Sequence, residues 1–125
     1  DGIELQKQYP NILIELVKGN TDRTDEYFSE KTLFLDNKIA FITHGDSYDV
    51  EHKISGVIDR GISDDADIIL FGHTHKPYLQ NEGGVWIMNP GRIGRISRKV
   101  INATYGIMIL ENDTITCEIV EFDSI

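Results

Sequence analysis

Three short polar clusters in this sequence contain residue types able to bind a divalent cation. They are Gly19-Asn20-Thr21-Asp22, His44-Gly45-Asp46 and Gly72-His73-Thr74-His75. Imidazole nitrogens and an amide carbonyl suit manganese, iron, zinc, cobalt or nickel. In extended geometry His73 and His75 would point to one side, about 6–7 Å apart along the chain. That separation would serve two neighbouring ions, or one ion after bending. Paired ions about 3.5–4 Å apart activate water and stabilise both the attacking and the leaving oxygen of a phosphoester. Each residue alone has a plainer reading. A single histidine is more often packed or solvated than ligating, and asparagine is a common turn residue tolerant of left-handed backbone. The weight comes from all three clusters following apolar, strand-like runs.

Those runs set the positions. Ile12 to Val17 reads as a buried strand after a break at Pro10-Asn11, with the end of a helix at Gly2–Gln8 before it. Thr32–Leu35 and Ile39–Thr43 read as a hairpin around Asp36-Asn37. Val50, Ile54, Val57 and Ile58 share a helical face over 50–60, with Asp49 as N-cap and Gly61 as stop. Asp67–Phe71 is a short apolar strand, and Val85–Met88 another after the Gly83-Gly84 turn. Tyr105–Leu110 and Ile115–Phe122 read as a closing hairpin across Glu111-Asn112-Asp113. Strands joined through a helix and followed by consecutive strands indicate a layered α/β sandwich. Strand ends sharing one rim of such a sheet are the usual place for a ligand site.

The totals bound the possibilities. A chain of 125 residues, 40% apolar and 26% charged, is one domain over 1–125 with room for a core. A net charge of −9 argues against a general nucleic-acid surface. No apolar run approaches the roughly 20 residues that span a bilayer. One cysteine, Cys117, excludes an internal disulfide and fits a reducing compartment, the cytoplasm. We read Cys117 as a small buried apolar residue and His52 as solvated on the polar side of the 50–60 helix. There is no initiator methionine, and the start of the chain reads as cut or processed.

Taken in order, Gly19-Asn20-Thr21-Asp22, Thr43-His44-Gly45, Gly72-His73-Thr74-His75-Lys76-Pro77 and Asn89-Pro90-Gly91 resemble the calcineurin-like metallophosphoesterase superfamily. The spacing is similar to its small YfcE-like phosphodiesterase branch, from about Leu13 to the end. The resemblance implies a β-sandwich flanked by helices and hydrolysis of phosphomonoesters or phosphodiesters by a metal-bound hydroxide. It implies that Asn20, His44 and His73 bind one metal and His75 the other, with manganese a frequent activator. It implies small phosphoester substrates and a homo-oligomer.

The family's opening Asp-x-His and Gly-Asp motifs are not found before residue 13. The matched ligands are all neutral, whereas two divalent ions need carboxylates to balance their charge. The chain is therefore expected to be the C-terminal portion of such a domain and a poor catalyst alone. Thr21 stands where many relatives carry a histidine acid, so activated esters should be cleaved most easily. Asp22 is the candidate catalytic residue that orients the site, and a capping role fits it equally. After Asn89-Pro90-Gly91 the related group commonly has Ser, and this chain has Arg92. Arg92, Arg95, Arg98 and Lys99 put four of the 12 basic residues in one eight-residue window. Arg92 or Arg95 could bind a substrate phosphate, although a solvated or oligomer-contacting loop explains them as well. The rival class is a non-catalytic scaffold of the same fold, as in the retromer subunit of eukaryotes. A single-metal regulatory domain would explain the histidines but not the ordered motif set.

Overall fold

The computed structural model describes residues 2–15, 17, 28–92 and 103–122. Helix α1 (Gly2–Gln8) is followed by strands β1 (Glu30–Leu35) and β2 (Lys38–Thr43). A short 3-10 turn (Asp46–Tyr48) leads to helix α2 (Ser55–Ser63) and strand β3 (Ile68–Leu70). Two hairpins complete the chain: β4 (Tyr78–Glu82) with β5 (Val85–Asn89), and β6 (Ala103–Glu111) with β7 (Thr114–Phe122).

Among the described residues five strands form one mixed sheet in the order β1-β2-β3-β5-β4, and β6 pairs with β7. Strands β2, β3 and β5 run parallel, while β1 and β4 close the edges antiparallel. Both expected hairpins form around left-handed turns, Asp36-Asn37 (φ 44 and 68) and Asn112-Asp113 (φ 51 and 61). Asn and Asp tolerate that backbone, whose twist matches the flanking strands.

Register decides the layers. Phe41, Ile69 and Ile87 lie side by side across β2, β3 and β5, all fully buried. They meet Val57 of α2 in one cluster that also holds Val50 and Phe71. Each such side chain contributes about 1.5–3 kcal/mol by leaving water. The alternate residues face the other way. There Met88 packs against the backbone of Gly106 in β6, and the Trp86 indole N–H donates to the Ile115 carbonyl at 3.1 Å. The β6–β7 hairpin thus lies over the face of the sheet opposite α2. This is the expected α/β layering.

Three local expectations need correction. Ile12–Val17 is not a strand among the described residues: 12–15 join no β-ladder, and Ile12 and Leu13 are 60% and 87% exposed. Apolarity makes a strand only where a neighbour offers N–H and C=O groups, and both sides of β2 are taken by β1 and β3. Helix α2 starts at Ser55 rather than at Val50. Asp49 is left-handed (φ 56), and its carbonyl receives the N–H groups of His52 and Lys53 in a separate turn. Its carboxylate accepts from His52 Nδ1 at 2.6 Å and caps no helix. Gly61 lies inside α2 rather than after it. An added Cβ would come within 2.5 Å of Ile69 Cγ1, so glycine is there to let helix and sheet close.

Strand β4 was not anticipated, because Tyr78-Leu79-Gln80-Asn81-Glu82 has little apolar pattern; its pairing with β5 makes it a strand. Cys117 is half-buried on β7, and burial pushes its thiol pKa up, which suits an inert side chain. No helix among the described residues is long and apolar enough to cross a membrane.

Candidate metal centre

Parallel pairing of β2, β3 and β5 delivers the ends of all three strands to one rim. His44 follows β2, Gly72-His73-Thr74-His75 follows β3, and Asn89-Pro90-Gly91-Arg92 follows β5. The three loops are tied together. The Gly72 N–H donates to the His44 carbonyl at 2.9 Å, and the Phe71 N–H to the Met88 carbonyl at 3.0 Å. Asn89 is fully buried and braces the rim. Its Nδ2 donates to the Gly72 carbonyl at 3.1 Å and to Thr74 Oγ1 at 2.9 Å, and its Oδ1 accepts from the Gly91 N–H at 2.9 Å.

Gly91 makes that last bond at φ 81, a region costly for any residue with a Cβ. A Cβ there would also overlap Thr104 Oγ1 and press on Pro77 Cδ at 3.3 Å. Thr104 in turn donates its N–H to the Arg92 carbonyl at 2.9 Å, joining β6 to the rim.

On this frame His44 Nε2 and His73 Nδ1 face each other at 3.1 Å, with ring centroids 5.0 Å apart and planes inclined by 74°. The other nitrogen of His73, Nε2, lies 3.0 Å from Glu51 Oε1. Both histidines of the Gly72–His75 segment are left-handed, His73 at φ 70 and His75 at φ 62. The extended geometry expected for them therefore does not occur. His73 turns inward to His44, and His75 is exposed.

A common ion bound at the usual imidazole distance of about 2.0–2.1 Å would subtend about 95–100° between two nitrogens 3.1 Å apart. This lies between the octahedral angle of about 90° and the tetrahedral one of about 109°, so the pair fits one ion of either preference. Among the described residues no three His, Cys, Asp or Glu side chains converge on one position. Further ligands would therefore have to include an amide, a water or a residue outside that set.

The remaining candidates are placed as follows. Asn20, Asp22 and Arg95 lie outside the described residues. Arg92 is partly buried at the rim, and its Nη1 is buried without a hydrogen-bond partner among the described residues. His52 is exposed, as expected, although it lies in the turn before α2 rather than on the helix; its hydrogen bond to Asp49 holds its pKa above the ordinary value. Glu51 was missed by sequence reasoning. Nothing in Val50-Glu51-His52 marks it out, because its partner His73 is 22 positions away and only the fold brings the two together. Beside Glu51 and Thr74 a cleft of about 470 Å³ opens, walled by Val50, Ile54, Phe71 and Tyr78. A second concavity, lined by Asp36–Lys38, lies at the opposite rim, where β2 begins, and contains no histidine.

Comparison with known proteins identifies the family and the fold. The family model for the calcineurin-like phosphoesterase superfamily domain matches residues 4–113. "Probable metallophosphoesterase YsnB" of Bacillus subtilis is 32% identical over 114 residues, covering 90% of this chain and 67% of that protein. A conserved uncharacterized protein of Streptococcus pneumoniae, described as a predicted phosphoesterase, superposes with a TM-score of 0.74 at 24% identity, over 84% of this chain. The chain spans only 60% of the pneumococcal protein's length. Vps29 of Entamoeba histolytica, solved in complex with zinc, superposes with a TM-score of 0.72 at 22% identity, over 98% of this chain and 77% of that one.

Proposed function

Because this chain belongs to the calcineurin-like phosphoesterase superfamily, we propose that it carries part of the metal centre of a phosphoester hydrolase, with phosphodiesters as its substrates. The observation that supports this most is the facing pair of nitrogens, His44 Nε2 and His73 Nδ1, at 3.1 Å on the rim shared by the parallel strands. In this reading His44 and His73, with Asn20, hold one divalent ion, and His75 contributes to a second. Manganese is the leading candidate, with zinc, iron, cobalt or nickel as substitutes. Bound divalent ions supply Lewis acidity and acidify water, which is the chemistry a phosphoester requires. The chain's own residues do the rest. Asn89 and Gly72 hold the two histidine loops in register, Arg92 and Arg95 offer guanidinium groups to the phosphate, and Asp22 orients the site. A homo-oligomer is part of the proposal, and the exposed apolar stripe Tyr105, Ile107 and Ile109 on β6 supports it. A monomer by light scattering would remove that element.

Calorimetric titration with Mn²⁺, paired with hydrolysis of bis(p-nitrophenyl) phosphate, tests the proposal. The parent should bind Mn²⁺, and His44→Ala and His73→Ala should each weaken binding by at least about 100-fold, with metal-dependent turnover lost in step. Unchanged affinity in either variant refutes the shared site. Turnover by this chain alone should be weak, because it carries only part of the centre; absence of Mn²⁺ binding in the parent favours the second reading, a non-catalytic scaffold, which the likeness of fold to Vps29 supports.

A further inference from the structure

We propose that Glu51 is a positioning residue that selects the tautomer of His73 and so aims its Nδ1 lone pair at the cation. This rests on the metal-centre reading above. An ionised carboxylate can only accept hydrogen bonds, and a neutral imidazole has one N–H and one lone pair. Glu51 Oε1 lies 3.0 Å from His73 Nε2, so the proton sits on Nε2. The lone pair is then on Nδ1, the atom that faces His44. Without metal, His44 Nε2 must donate to it across the 3.1 Å gap, giving a directed chain from His44 through His73 to Glu51. For His44 to ligate a cation through Nε2, its proton would have to shift to Nδ1, which keeps the ring neutral. His73 is already in its ligating form.

The turn that carries Glu51 is built to hold it. Val50, its neighbour, is 4% exposed within the main core cluster that also holds Val57 of α2 and Phe71. The N–H groups of His52 and Lys53 both bond to the Asp49 carbonyl, closing the turn on the other side. The Glu51 backbone is thereby fixed, although its side chain is 58% exposed. Histidines that bind metals commonly donate their second N–H to a carboxylate, and loss of that carboxylate weakens metal affinity by about 10–100-fold.

The test uses Glu51→Ala and Glu51→Gln, with urea midpoints to establish folding. Mn²⁺ affinity by calorimetry should fall about 10–100-fold in Glu51→Ala. It should largely recover in Glu51→Gln, whose amide oxygen still accepts from Nε2. Imidazole ¹⁵N NMR of the metal-free protein should show His73 as the Nε2–H tautomer in the parent and a tautomer mixture in Glu51→Ala, a change that a merely structural role would not produce. An Nδ1–H tautomer in the parent, or a Glu51→Ala affinity within about twofold of it, overturns the inference alone. Absence of Mn²⁺ binding in the parent overturns the metal-centre reading and the inference with it.

Discussion

Asn89 ties the Gly72–His75 loop, which itself bonds to His44 through the Gly72 N–H, to the third loop of the rim, and replacing it by alanine removes all three of its hydrogen bonds. Two are donated by Nδ2, to the Gly72 carbonyl and Thr74 Oγ1, and one is accepted by Oδ1 from the Gly91 N–H. Each is worth about 0.5–1.5 kcal/mol net, so the bonds alone total about 1.5–4.5 kcal/mol. The residue is fully buried, so water does not replace the lost partners without rearrangement. A central expectation of about 3 kcal/mol, with a urea dependence of about 1.5 kcal/mol per M, lowers the denaturation midpoint by about 2 M. Thr74→Ala cuts one of the three bonds, together with two exposed local ones, from the Lys76 N–H and to the Lys76 carbonyl, and should cost about 1–2 kcal/mol. Urea unfolding followed by circular dichroism measures both variants. If Asn89→Ala shifts stability by less than about 0.5 kcal/mol, Asn89 does not brace the rim and the account of how the histidine loops are aligned fails.

Two further outcomes follow from the same geometry. Gly91→Ala should lose about 2–5 kcal/mol, from about 1–2 kcal/mol of left-handed strain and about 1–3 kcal/mol of overlap with Thr104. Adding Thr104→Ala should relieve only the overlap, and a double-mutant cycle showing no coupling would contradict the packing. Burial, followed by the hydrogen bond and charge of Glu30, raises the Tyr48 pKa above its ordinary 10.0, against a smaller opposing effect of Arg60. The fold therefore favours the neutral phenol. That stability is fully present below pH 10 and is lost as pH rises from there through the folded-state value. Tyr48→Phe should flatten the alkaline decline, and an unaltered pH dependence of the urea midpoint would show that Tyr48 does not cause it.

The family and the order of its motifs were legible because they depend on residue identity at fixed spacing. His44 and His73 stand after apolar runs, and those short apolar, β-rich runs located β2, β3 and β5. Turn chemistry did the same for the hairpins, since Asp36-Asn37 and Asn112-Asp113 accept positive φ where other residues would resist it. Patterning failed where a residue's conformation depends on a distant neighbour. Ile12–Leu13 looked like core, and β4 did not look like a strand. Gly61 read as a helix stop because its reason for being glycine, Ile69, is on another element.

Sequence alone determined which side chains are available for cation chemistry and that strand ends carry them, because residue type and local periodicity are properties of short segments. Only the tertiary structure decided their relations. Parallel pairing of β2 with β3 set His44 Nε2 against His73 Nδ1, left-handed backbone at His73 and His75 separated two histidines that extended geometry would have aligned, and the Val50 anchor brought Glu51 to His73. Each of these depends on the free energy of packing elements far apart in the chain, which no local window of sequence contains.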